Sequence, residues 1–142
     1  MCRISGDMLW ACAVGILIAD QWSKRTVQAR AALGSSTRGS VVRFRFVRHQ
    51  KRAYEQPHTR AGLVLSWILA LVSAVVLHRF GLWFRSAPSL AGLGLALGGA
   101  ASNLLDILRY RYIVNFIDLG WWPVFNLADV AILVGLTAAF LA

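Results

Sequence analysis

The chain is poor in acid. Of its 142 residues only six are Asp or Glu, against fifteen Lys or Arg, and charged residues make up 15% of the whole. So little charge beside 58% hydrophobic residues and a mean hydropathy of +0.59 excludes an ordinary soluble domain of this size. The two cysteines, Cys2 and Cys12, are too few and too close along one apolar stretch to build a disulfide framework. The three histidines, His49, His58 and His78, have no nucleophile beside them and no metal-ligand spacing, and no phosphate-binding loop is present. No metal or cofactor is therefore expected.

What is present is grease in blocks. Apolar runs near residues 8–22, 62–78, 88–106 and 126–142 predict four transmembrane helices in one membrane unit covering residues 1–142. Several runs fall short of the roughly 20 residues that cross a bilayer and must borrow flanking residues such as Gln21, Trp22 and Phe125. Arg3 before an apolar core imitates a secretory signal. The following Asp20-Gln21-Trp22-Ser23-Lys24 is a poor cleavage site, so an uncleaved first span is expected.

Between the first two spans, about residues 25–60, Val41-Val42-Arg43-Phe44-Arg45-Phe46-Val47-Arg48 alternates apolar and basic side chains with period two, a strand pattern. Turn residues at 34–36 and 38–40 precede it. A small β platform at the membrane surface is expected, its basic face either touching anionic headgroups or a substrate strand, or simply solvated. A nucleic-acid role is not expected so close to a bilayer. Gly94 and Gly98, with Gly92, Gly99 and nearby alanines, predict close helix packing, and within one chain rather than between two, so a monomer is expected.

The few acids sit where acids are expensive. Asp20, Asn103 and Asp106, and Asn126 and Asp129 close or open apolar runs, with Asn115 and Asp118 just before the last, and Trp22, Trp121 and Trp122 mark the same depth. Two acids sharing a water, one taking its proton while the other donates to a carbonyl oxygen, is the requirement of aspartic peptidase chemistry. A proton-coupled transporter using Asp20 or Asp129 is the competing membrane reading, weakened because every polar residue lies at one rim.

Four motifs in order make the chain resemble signal peptidase II, the bacterial lipoprotein signal peptidase family: Asp20-Gln21-Trp22-Ser23-Lys24, then Gly98 to Asp106, then Ile113-Val114-Asn115-Phe116-Ile117-Asp118, then Trp122 to Asp129. The resemblance implies a multi-pass protein of the bacterial inner membrane with both termini cytoplasmic, a β platform and site at the extracytoplasmic face, and prolipoprotein signal peptides as substrate. Charge alone points the other way. Twelve of the fifteen Lys and Arg residues fall on the side that holds the long loop, which the positive-inside rule would keep in the cytoplasm.

Carried onto this sequence, the resemblance makes Asp129 the second catalytic aspartate and Asn126 its support, with Asp20, Asn103 and Asp106 orienting the site. The first catalytic aspartate falls at Asn115, whose amide hydrogen-bonds water but does not take its proton. Ile107 stands where the family has arginine, and Arg48 to Tyr54 departs from the family pattern. A divergent family member is the expectation. It is either a peptidase in which Asp118 substitutes, which needs residues 115–118 to turn helically, or a pseudoenzyme that binds signal peptides without cutting them.

Overall fold

The computed structural model describes residues 2–32, 43–49, 57–81 and 86–141. They form α1 (Cys2–Ala32), β1 (Arg43–His49), α2 (Pro57–Arg79), α3 (Ala87–Tyr110), β2 (Ile113–Asp118) and α4 (Leu127–Leu141). The architecture is mostly helical, with four helices and a two-stranded sheet. Among the described residues α2 and α3 are long and apolar enough to cross a membrane. The fifteen residues of α4 extend about 22 Å at 1.5 Å each. Asp7 and Arg25 interrupt the apolar surface of α1, which continues to Ala32, ten residues past the end expected for its span.

The central element is α3. Ser86 caps it by accepting from the Ser89 amide at 3.1 Å, Pro88 fits its first turn, and Arg111 ends it in the left-handed region at φ 63°. Its small residues face two ways. A Cβ on Gly98 would collide with the Ala13 carbonyl of α1, and one on Gly92 would lie 2.5 Å from the Gly135 carbonyl of α4. These bare backbones set helix separations that no larger residue permits, which is how helices associate where lipid removes any hydrophobic drive. The expected close packing through Gly94 and Gly98 is thus found inside the chain. Ser89 adds a hydrogen bond to the Ala139 carbonyl at 2.7 Å, tying the start of α3 to the end of α4.

In contrast α2 is nearly free of partners, with Ala74 its one buried residue. It leans on α3 through Ala74, Leu71 and Leu77 near Leu90 and Leu93, and through Trp67, whose indole N–H donates to the Leu97 carbonyl at 3.2 Å. Its outward side chains, such as Leu65 and Leu69, are over half exposed, a surface suited to lipid rather than water.

The strand pattern read over residues 41–48 corresponds to β1 from Arg43, while residues 34–40 and 50–54 lie outside the described ones. Its antiparallel partner is β2, with Arg43 opposite Asp118, Val47 opposite Asn115, and an irregularity between Phe44 and Val47. Residues 115–118 are therefore extended, not a helical turn.

Candidate functional site

The polar residues of four elements meet where the C-terminal half of α1, the end of α3, β2 and the start of α4 converge. At the centre lies Lys24, 2% exposed. Its ammonium has three hydrogens and three acceptors: Asp20 Oδ2 at 2.6 Å, Asp106 Oδ2 at 2.7 Å and Asn103 Oδ1 at 3.0 Å. Asp20 and Asp106 are 0% and 1% exposed, so neither carboxylate nor the lysine has water to fall back on. Removing one member of such a buried group costs about 3–5 kcal/mol, because the others stay charged and unpaired.

Each acid then reaches onward. Asp20 Oδ1 accepts from the Ala128 amide at 2.9 Å, satisfying an orphan donor in the first turn of α4, and its Oδ2 accepts from Ser102 at 2.7 Å. Asp106 Oδ2 takes the Val114 amide at 3.1 Å, fixing the start of β2, and Oδ1 takes Gln21 Nε2 at 2.8 Å. Gln21 also reaches Ser102 Oγ at 2.9 Å.

The second half of the site is a capping box. Asn126 precedes α4 and its Oδ1 accepts from the Asp129 amide at 2.9 Å, while Asp129 Oδ2 accepts from the Asn126 amide at 3.1 Å. This reciprocal pair fixes the Asp129 carboxylate on its own helix. Asn103 Nδ2 donates to Asp129 Oδ1 at 2.9 Å. The direction of that amide is not arbitrary: Asn103 Oδ1 already faces Lys24, which only donates, and Asn126 Nδ2 at 3.0 Å.

Asn126 Nδ2 lies near three acceptors, the third being Asn115 Oδ1 at 2.8 Å after Asn103 Oδ1 and the Val114 carbonyl. Asn115 therefore turns its oxygen toward Asn126, as an aspartate at that position would. Asn103, Asp106, Asp20, Asn115, Asn126 and Asp129 thus form one connected cluster. Asp118 stands apart from these contacts. Its Oδ1 accepts from the Gly120 amide at 2.8 Å in a turn, and an odd separation along an extended strand directs residues 115 and 118 to opposite faces.

Lys24, Gln21 and Ser102 belong to this cluster although the sequence reading assigned them no role. A signal existed for Lys24: a lysine four residues after an aspartate in an apolar helix is expensive unless the two pair. Asn126-x-x-Asp129 before an apolar run is likewise a capping-box pattern.

Asn103 of the cluster also lines a groove of about 580 Å³ between α2, α3 and α4, with Leu63, Trp67, Ala100, Ile132 and Leu136 among its other walls. Ile107, at the position where the resemblance leads one to expect arginine, lines it too and keeps it apolar.

Fold and site together define a helical membrane protein with an acid–amide cluster that shares Asn103 with an apolar groove. The chain belongs to the signal peptidase II family: the family model described as Signal peptidase (SPase) II matches residues 12–142. Among curated relatives, the lipoprotein signal peptidase of Syntrophomonas wolfei is 34% identical over 131 residues, covering 89% of this chain and 85% of its own. That of Moorella thermoacetica is 34% identical over 126 residues, covering 87% and 83%. Among solved structures, a bacterial membrane enzyme superposes with a TM-score of 0.72 at 21% identity, covering 92% of this chain and 88% of its own, a likeness of fold.

Proposed function

We propose that this protein serves in lipoprotein signal-peptide processing at the bacterial inner membrane, as a multi-pass protein whose site faces the extracytoplasmic side. In this reading it accepts the signal peptide of a prolipoprotein into the groove and brings the scissile region to Asp129 and Asn115. As the sequence stands it holds the peptide rather than cutting it. The observation that carries this reading is Asn115 itself. Its carboxamide occupies the hydrogen-bonded position beside Asn126 that a second acid would fill, and an amide has no proton-accepting role near neutrality. Asp118 offers little as a replacement, being engaged with Gly120 on the other face of β2.

Direct cleavage by the native chain is the second reading. The relatives named lipoprotein signal peptidase and the intact set of supports around Asp129 favour it.

A lipidated prolipoprotein peptide, incubated in detergent with the native chain, Asn115→Asp and Asp118→Ala, separates the two. The expected result is binding without cleavage by the native chain, and cleavage only after Asn115→Asp, because an aspartate there accepts the same bond from Asn126. Native cleavage that disappears with Asp118→Ala establishes the second reading instead.

A further inference from the structure

We propose that Lys24 is a positioning residue for Asp129, acting through the orientation of Asn103, beyond its part in balancing buried charge. Two of its three hydrogens go to the carboxylates of Asp20 and Asp106, whose two negative charges its single positive charge offsets by half. The third goes to a neutral acceptor, Asn103 Oδ1, at 3.0 Å. That bond has a directional consequence. A carboxamide rotated by half a turn would point its NH2 at an ammonium that only donates, so Lys24 excludes the rotated form and keeps Nδ2 facing Asp129 Oδ1. Asn126 Nδ2 pushes the same way at 3.0 Å, its own amide held by the Asp129 N–H on Oδ1, so Lys24 and Asn126 set Asn103 together.

The groups facing Lys24 come from two elements: Asp20 on its own helix, and Asp106 and Asn103 on α3. A lysine kept only to offset one of two acidic charges is replaceable by removing one acid. A lysine that sets an amide is not.

This inference rests on the proposed role of Asp129, and the experiment keeps the two separable. In the Asn115→Asp background, Lys24→Met is expected to lower the Tm, since it strands two buried carboxylates. The double variant Lys24→Met/Asp20→Asn keeps the net charge of the cluster and is expected to recover part of that Tm, Asp106 being left as the one buried carboxylate without a cation. Its kcat on a lipidated prolipoprotein peptide should still stay down by roughly a hundredfold, with KM little changed. Asn103→Asp keeps an acceptor for Lys24 but replaces the donor to Asp129 by a carboxylate, and it should lose kcat likewise, with a lowered Tm. Recovery of kcat together with Tm in the double variant, or full kcat in Asn103→Asp, overturns the inference.

Should Asn115→Asp cleave nothing, the proposed function fails but Lys24 is still tested by the side-chain amide protons of Asn103 in micelles. One of the two signals held downfield by the bond to Asp129 in the native chain, and returned to the ordinary carboxamide range in the double variant, supports positioning. Signals that do not change overturn it.

Discussion

Asn126 illustrates how much one small side chain carries in this fold. It is 0% exposed, receives the Asp129 amide on its oxygen, and supplies its nitrogen to Asn103, Val114 and Asn115. Asn126→Ala removes the cap and strands buried acceptors at once, so a loss of about 2–4 kcal/mol is expected from capping plus unmet hydrogen bonds. Asn126→Asp retains the cap but sets a new carboxylate against Asn115 Oδ1 and the Val114 carbonyl, which only accept. Its stability should be no better than that of the alanine variant, a ranking that thermal unfolding in detergent decides.

Among the helices, the prediction concerns contact distance rather than polarity. A Cβ on Gly135 would stand 2.5 Å from the Gly92 carbonyl and 2.6 Å from the Ala96 nitrogen, both backbone atoms that move only if the helix moves. Gly135→Ala should therefore destabilise by about 1–3 kcal/mol through overpacking, even though alanine is the better helix former by about 1 kcal/mol. Gly15 in α1 and Gly62 in α2 have nothing within 4 Å, so alanine there should leave the Tm unchanged or slightly raised.

The same contrast explains what was legible beforehand. The glycine run of α3 announced close packing because small residues have one dominant use in lipid. It did not say that Gly94 and Gly98 face α1 while Gly92 and Gly99 face α4, which only the helix phase in space decides. The acid–amide cluster was readable from Asp20, Asn103, Asp106, Asn126 and Asp129, since polar groups at the ends of apolar runs must find one another. The role of Lys24 was less legible, because its burial against Asp20 and Asp106 depends on α3 arriving alongside. The state of residues 115–118 was undecidable from sequence because an Asn115–Asp118 spacing of three fits a helical turn, and β1, which makes it a strand, is distant in the chain.

The molecule as a whole is asymmetric in how tightly it is held. The helices α1, α3 and α4 lock through bare backbone contacts, while α2 rests on a few side chains and leaves the groove open beside α3. An apolar cleft of that size, walled by α2, α3 and α4 and with Asn103 in its lining, suits an extended or helical apolar segment. If the groove is where a signal peptide sits, filling it should abolish binding without touching stability, since α2 contributes so little to the core. Ala70 lines the groove from α2 and is itself exposed, so Ala70→Trp places an indole in the cavity with no packed neighbour to displace. Val72, on the same helix and 52% exposed, does not line it, and Val72→Trp adds the same bulk toward lipid. Crosslinking of a photoreactive lipidated prolipoprotein peptide should fall by at least about tenfold with Ala70→Trp, equivalent to about 1.4 kcal/mol of lost binding, and remain at the native level with Val72→Trp. Equal crosslinking in both variants would move the peptide out of this groove and onto another face of the bundle, and with it the assignment of Asn115 and Asp129 to the scissile bond.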